Sequence, residues 1–414
     1  MHRQMDHGSG HRRPGYPVAA GIFAVGMAGT TLPTPLYGLY RAQLGFSELM
    51  VTIVFAVYAL GVIATLLLAG DVSDHVGRRP VLLCALGLSA ASALCFLFEG
   101  GLPALFAGRL LSGFAAGLLS GAGTVTVMEL APPGREARAG LAATAANMGG
   151  LGCGPLLAGL LAQYAPWPLR LPFLADLVLV AVAGLLTWFL PETVAREERA
   201  RRGEGGRERG TWRRLPVQPR GLVVPPQVRG VFAPSALAAF AGFALLGLFT
   251  AVAPSFMAQT LRVSNLAVSG AVVFSVFLAS TVGQSLMGRV GVRAALPGGC
   301  LVLVAGLALV GASLAVRSLP LLVAGALCGG LGQGLAFRAA MTAVSGAAPP
   351  EHRGGTVSAF FVVAYLGISL PVVGVGALTL WLGLRGAGMT FTVVVLALAA
   401  GVGLYLLRRP PAGN

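Results

Sequence analysis

This 414-residue chain is poor in charge and contains no lysine at all. Only 10% of its residues are charged, and 14 residues are acidic. Soluble globular domains carry about a quarter of their residues as charged side chains, so the composition excludes that class. A chain without lysine also lacks the lysine of a nucleotide-binding P-loop. We therefore expect neither nucleotide binding nor ATP-driven activity.

Metal-binding and catalytic patterns are absent as well. The five cysteines all lie in apolar segments without metal-ligand spacing, and the five histidines lie in the N-terminal tail or in predicted loops (Cys84, Cys95, Cys153, Cys300, Cys328; His2, His7, His11, His75, His352). Structural metal sites need clustered Cys or His ligands at characteristic spacings. We expect no metal and no cofactor.

Apolar residues make up 56% of the chain, and its mean hydropathy is +0.81. The apolar windows are continuous and about 20 residues long, which predicts membrane-spanning helices, because strands of a membrane barrel alternate over about ten residues. The sequence predicts twelve such spans, near residues 17–38, 49–70, 80–99, 103–128, 140–163, 172–191, 231–254, 267–288, 295–316, 319–343, 356–379 and 388–407.

All 29 basic residues are arginines, and their positions predict the orientation in the membrane. With twelve spans, 22 arginines fall on the side of the two termini, two fall inside helices (Arg109, Arg338) and five fall on the other side (Arg41, Arg170, Arg262, Arg317, Arg385). Cytoplasmic loops are enriched in basic residues, so we expect both termini in the cytoplasm of a plasma-membrane protein. This asymmetry also accounts for the net charge of +15 without nucleic-acid binding.

The chain divides into two similar halves. We predict a cytoplasmic tail at 1–16, a six-helix bundle at 17–191, a basic linker at 192–229 with ten arginines, a second six-helix bundle at 230–407 and a tail at 408–414. The first tail lacks the apolar core of a removable signal peptide, so the first helix is expected to stay as an anchor. Shifting the sequence by 214 to 217 residues aligns 284–293 with 70–79, 348–350 with 131–133, and Pro371 with Pro155. Two repeats of six helices predict a central cavity between them near the middle of the membrane.

Four short motifs strengthen this interpretation: Gly70-x-x-x-Asp74-x-x-Gly77-Arg78-Arg79, Arg109-Leu-Leu-Ser-Gly113, Gly150-Leu-Gly-Cys-Gly154-Pro155 and Pro191-Glu192-Thr193. They resemble the motifs of the major facilitator superfamily in residue type and in the predicted helix or loop that contains each motif. The resemblance extends over essentially the whole chain. It implies an all-α membrane protein of twelve helices in two pseudo-symmetric bundles, and the third motif resembles that of the drug/proton antiporter branch.

The resemblance implies roles for the loop motif and for Arg109. Gly70, Asp74, Gly77, Arg78 and Arg79 are expected to form a gate that couples the two halves at the cytoplasmic side; the alternative is a simple topology signal. The resemblance also assigns Arg109 a part in proton coupling. The alternative is an arginine that is bonded permanently to backbone carbonyls and has a structural role only.

Acidic residues within the spans are the other candidates for proton coupling. Glu129, at the inner end of the fourth span, and Asp176, near the outer end of the sixth, are the two we select, although each could be an interfacial residue. Gly150, Gly154 and Pro155 loosen and kink the fifth span, because proline removes a hydrogen bond and glycine allows close packing. A conformational or leak-sealing role and plain helix packing both fit this third motif.

The substrate cavity is expected to contain few charges and many aromatic side chains, which favours a small amphipathic ligand. Its polar members are expected to include Thr34, Tyr37, Tyr58, Asn147, Gln333 and Tyr365. The expected function is proton-coupled efflux of such a compound by a monomer in contact with membrane lipid. A metabolite or sugar porter is the nearest alternative. A membrane-embedded enzyme would need a catalytic cluster at membrane depth, and a non-transporting sensor would need an output domain; the sequence shows neither.

Overall fold

The structure, a computed structural model, describes residues 15–68, 73, 76–193 and 222–409. Within these ranges, eleven helices are long and apolar enough to cross a membrane. We number them α1 Tyr16–Leu44, α2 Glu48–Leu68, α3 Arg78–Leu97, α4 Leu102–Glu129, α5 Glu136–Tyr164, α6 Leu171–Phe189, α7 Pro226–Gln259, α8 Leu266–Val290, α9 Val292–Val316, α10 Leu319–Ala347 and the final run Arg353–Arg408. Outside the described residues lie 1–14 of the predicted tail 1–16, 410–414 of the predicted tail 408–414, Gly70, Asp74 and most of the linker (194–221).

The final run contains two spans. Its 56 residues would extend about 84 Å as one helix, far more than the thickness of a bilayer. At Gly383 the backbone leaves the helical region, with φ 65° and ψ 173°, a conformation that glycine adopts without steric cost. We therefore divide the run into α11, residues 353–382, and α12, residues 384–408. The described chain then crosses the membrane twelve times, as the sequence predicts.

The first helix of each half is interrupted at an equivalent depth. In α1, Pro33 and Pro35 end the regular helix, and a 3₁₀ turn at Thr34–Leu36 precedes the last segment, Tyr37–Leu44. In α7, a π-helical turn spans Leu248–Val252 just before Pro254. Proline cannot donate the hydrogen bond of a regular turn, so both interruptions follow from the sequence. Leu248 follows Thr34 by 214 residues, the offset of the internal repeat.

The six helices of the first half (α1–α6) meet those of the second (α7–α12) along two seams, α2 against α11 and α5 against α8. We call the side where α1 begins and α12 ends the terminal face, and the other side the opposite face. Small residues let the helix backbones touch at the seams. A Cβ added at Gly159 would lie 2.3 Å from the carbonyl oxygen of Leu266, and one added at Gly376 would lie 2.1 Å from Oγ1 of Thr52. Both contacts lie nearer the opposite face, so the halves are held together there.

Candidate functional site

A cavity of about 570 Å³ lies between the two halves. The first half contributes residues from α1, α2, α4 and α5, and the second half from α7, α8, α10 and α11. The polar and charged residues among them are Thr31, Tyr58, Arg109, Ser120, Thr124, Thr144, Asn147, Thr250, Gln284, Arg338 and Tyr365. The aromatic residues besides the tyrosines are Phe55, Phe243, Phe277, Phe337 and Phe361. A cavity of this size, mostly apolar with a few polar groups, suits a small organic molecule.

The cavity is continuous with the terminal face. Its lining includes Met128 in the last turn of α4, and Gly140 and Val357 near the starts of α5 and α11. Thr31 and Arg109 lie at its other end, next to the contacts between the halves that close the opposite face. The structure therefore shows a conformation in which the cavity faces one side of the membrane.

A carboxylate on the opposite face adds a polar connection between the halves. Glu48, the first residue of α2, forms an ion pair with Arg41 of α1. Its other contacts come from the second half: Ser255 Oγ donates to Glu48 Oε2 at 3.0 Å, and the Gln259 side-chain amide donates to Oε1. Sequence reasoning missed this residue because it precedes a span and belongs to none of the motifs.

Arg109 lies at the closed end of the cavity and is 1% exposed. Its Nη1 donates to the carbonyl oxygen of Thr30 at 2.7 Å. Its guanidinium carbon lies 4.8 Å from the ring centroid of Tyr58 and 5.5 Å from that of Phe55, within cation–π range. Nε has no hydrogen-bond partner in the described residues. One bond therefore anchors the side chain, and part of its donor capacity is unused.

The break in α1 explains why Arg109 finds an acceptor at this depth. The regular helix ends at Thr31, so the Thr30 carbonyl lies in the last turn, at the negative end of the helix dipole. A buried guanidinium is costly in a membrane unless it meets such groups. The end of the regular helix just before the two prolines thus provides the acceptor that makes the arginine tolerable.

Pro155 creates a second free carbonyl, and α1 supplies its partner. Proline has no N–H, so the carbonyl of Leu151, four residues earlier in α5, loses its helical hydrogen bond. Thr31 Oγ1 donates to this carbonyl oxygen at 2.7 Å. The bond ties α5 to α1 beside the cavity.

Replacement of Thr31 by valine is expected to leave the Leu151 carbonyl unpaired and to lower the free energy of unfolding by about 1–3 kcal/mol, the usual cost of a buried polar group without a partner. Denaturant titration of the detergent-solubilised protein measures this change. Thr187→Val is the matched control, because Thr187 is also buried and its hydroxyl bonds to Ala183 in its own helix. Equal losses in the two variants would contradict the assignment.

At the glycines of the fifth-span motif, α5 packs closely against α1. A Cβ added at Gly154 would lie 2.1 Å from the carbonyl oxygen of Ala28, and one at Gly150 would lie 2.5 Å from that of Ala24. The carbonyl of Pro155 faces the other way, toward Gly270 of α8 in the second half. The motif therefore lies where α5 packs against α1 of its own half and against α8 of the second half.

The loop motif forms a network at the terminal face. The backbone N–H groups of Arg78 and Arg79, at the start of α3, donate to the Glu192 carboxylate at 2.9 and 3.1 Å. Arg78 also forms an ion pair of 3.0 Å with Glu129, whose carboxylate accepts a hydrogen bond from Thr193. These described contacts join the ends of α3, α4 and α6, all in the first half. A carboxylate at a helix N-terminus is favourable because unpaired N–H groups and the helix dipole meet it.

Gly77 is required by this geometry. Its φ of 108° is unfavourable for other residues, and an added Cβ would lie 2.8 Å from Oε2 of Glu192. Glu192 is thus a member of the network that the sequence indicates only through the motif Pro191-Glu192-Thr193.

The remaining predicted residues lie in different surroundings. Tyr58, Asn147 and Tyr365 line the cavity, whereas Thr34, Tyr37 and Gln333 are buried and do not. Gln333 Oε1 accepts a hydrogen bond from Ser280 at 2.6 Å. Asp176 is also buried away from the cavity, where a Cβ added at Gly29 would lie 2.9 Å from its Oδ2. Residues whose role the sequence left open, Arg338 and Gln284, do line the cavity.

Twelve helices in two halves around a cavity that opens to one face define a membrane transporter of small molecules. The sequence profile of the Major Facilitator Superfamily matches residues 18–310. The chain belongs to this superfamily, and it is a transporter and not an enzyme.

Similar proteins include a bacterial protein and a human transporter of known structure. Over 175 residues the chain is 31% identical to a protein of Cronobacter sakazakii named as a multidrug resistance protein, MdtD; the match covers 42% of this chain and 36% of that protein. The crystal structure of the human organic anion transporter MFSD10 (TETRAN) superposes with a TM-score of 0.61, covering 93% of this chain and 98% of that chain. At 20% sequence identity, this likeness shows the fold alone.

Proposed function

We propose that this transporter exports a small amphipathic compound by alternating access, in exchange for protons. The observation that carries the proposal is the cavity, which is lined by both halves, reaches the terminal face and is closed at the opposite face. Alternating access requires that one half rocks against the other about the cavity. The named multidrug resistance relative supports efflux as the direction, over the matched part of the chain.

The orientation follows from the arginines. With twelve spans, the sequence assigns 22 of the 29 basic residues to the side of the termini, so we assign the terminal face to the cytoplasm of a plasma-membrane protein. The cavity then faces the cytoplasm, where an exported compound is bound. The protein acts as a monomer, since each chain encloses a complete cavity, and it binds no nucleic acid.

Asp176 is the carboxylate best placed to carry a proton. Of the described acidic residues it alone is buried, at 2% exposure, and no described arginine pairs with it. An unpaired carboxylate at membrane depth is tolerated when it is protonated. It lies against Gly29 of α1, and the next residue, Thr30, binds Arg109. A movement of α1 would therefore affect Asp176 and Arg109 together. Glu129, in contrast, acts within the network at the terminal face.

The loop motif acts as a gate in this cycle. In the structure, the contacts of Arg78 and Arg79 with Glu129 and Glu192 join helix ends of the first half at the terminal face. When the terminal face closes, Gly77, Arg78 and Arg79 would engage the second half, together with Gly70 and Asp74.

Reconstitution into liposomes with an acidic interior tests the proposal. We expect amphipathic neutral dyes to accumulate as protons leave, and a protonophore to abolish the accumulation. Asp176→Asn is expected to lose gradient-driven uptake and to keep substrate exchange without a gradient, because the cavity is intact. Glu136→Gln, an exposed acid at the start of α5, is the matched control.

Two results would contradict the proposal. Full gradient-driven uptake by Asp176→Asn would remove this residue from proton coupling. Movement of sugars without movement of any lipophilic compound would favour the alternative of a metabolite or sugar porter.

A further inference from the structure

The charged residues that line the cavity are all basic. Arg109 lies at its closed end and Arg338 lies on its wall in α10, and no described aspartate or glutamate contributes to the lining. Arg338 is exposed to the cavity and pairs with no described acid. A narrow aqueous cavity with low-dielectric walls concentrates the field of such charges. Its interior therefore attracts anions and repels cations.

An aromatic wall borders Arg338. Phe337, its neighbour in the sequence, contacts Phe243 with ring centroids 5.2 Å apart and Phe361 with centroids 6.0 Å apart. Phe243 in turn contacts Tyr365 at 5.8 Å. All four rings line the cavity. They offer a large apolar surface on which an aromatic or aliphatic ligand packs.

We infer that the cavity selects amphipathic organic anions and that Arg338 recognises the anionic group; this rests on the proposed transport of amphipathic compounds. The apolar part of the ligand packs on the wall formed by Phe243, Phe337, Phe361 and Tyr365. A carboxylate or sulfonate at its edge pairs with the Arg338 guanidinium, which matches such groups with two parallel hydrogen bonds. Arg109 contributes a second positive charge deeper in the cavity.

Three probes on one ring system test the inference: 1-naphthoate, 1-naphthamide and 1-naphthylmethylammonium, which carry an anionic, a neutral and a cationic group. Calorimetric titration of the full-length protein in detergent is expected to show about tenfold tighter binding of naphthoate than of naphthamide, the usual worth of a charged hydrogen bond. The ammonium is expected to bind weakest. Raising the salt concentration is expected to weaken naphthoate binding only.

Arg338→Gln is expected to remove the preference for naphthoate and to leave naphthamide binding unchanged, and Arg338→Lys is expected to keep part of the preference. Unchanged naphthamide binding also shows that the variant is folded. Arg408→Gln, an exposed arginine at the end of α12, is the matched control. Equal or tighter binding of the amide or the ammonium by the wild-type protein would overturn the inference and leave the proposed function standing. Binding of none of the three would overturn it too, and the liposome assay with neutral dyes decides separately on transport.

Discussion

Replacement of Arg109 by alanine is expected to reduce gradient-driven transport by about tenfold to a hundredfold, because a hydrogen bond from a charged group is worth about 1.5–3 kcal/mol. The substitution removes the hydrogen bond to the Thr30 carbonyl. It also leaves the C-terminal end of the first α1 segment, where the helix dipole is negative, without a neighbouring positive charge. It also empties the space between Phe55 and Tyr58 at the closed end of the cavity. Uptake into liposomes, normalised to the amount of reconstituted protein, measures the effect.

Arg109→Lys separates charge from structure. Lysine keeps the charge and loses the planar guanidinium, so we expect partial transport with weakened coupling to the proton gradient. Arg408→Ala should leave transport unchanged, because Arg408 is exposed and lies outside the cavity. If Arg109→Ala transported at the normal rate with full dependence on the proton gradient, Arg109 would have no part in the mechanism.

Replacement of Gly270 by leucine is expected to open the seam between α5 and α8. A Cβ at this position would lie 2.3 Å from the carbonyl oxygen of Pro155 and 3.1 Å from the Cα of Leu156. Both are backbone atoms, so the side chain cannot be accommodated unless the two halves separate at the opposite face. Overpacking costs about 1–3 kcal/mol, which displaces a two-state equilibrium by about 5- to 150-fold. We expect the variant to favour the conformation open at the opposite face.

Hydrogen exchange detects this shift without labelling. Amides near residues 160–166 and 262–268, at the opposite-face ends of α5 and α8, should exchange faster in Gly270→Leu than in the wild-type protein. Gly184→Leu is the control, because an added Cβ at Gly184 meets nothing within 4 Å. Exchange that is unchanged at these ends, in a protein that still folds, would show that the seam is not part of the conformational change.

The fold could be predicted from the sequence because a bilayer imposes strong constraints. Apolar runs of about 20 residues must be helices, and an even number of them places both termini on one side. Pro155 predicted a disturbed helix, and in the structure the Leu151 carbonyl four residues earlier bonds to Thr31 of another helix. The sequence also predicts a break between the spans at 356–379 and 388–407, and the structure places it at a single residue, Gly383.

The cavity was harder to predict, and the reason is physical. In a membrane protein the lipid-facing and the core-facing sides of a helix are both apolar, so sequence periodicity does not reveal which side faces the cavity. Thr34, Tyr37 and Gln333 were expected there and are buried elsewhere, whereas Arg338 lines it. The bond from Thr31 to Leu151 joins residues 120 positions apart. Proline chemistry indicates the free acceptor, but only the folded chain identifies the donor.

The connection at Gly383 has a mechanical consequence. Because one residue replaces a loop, α11 and α12 share no slack, and a tilt of one must pull the other along. Since α11 also packs on α2 across the seam, a movement of the second half relative to α2 would involve α11 and α12 together. Insertion of residues at Gly383 is expected to uncouple α12 from α11 in the proposed rocking motion.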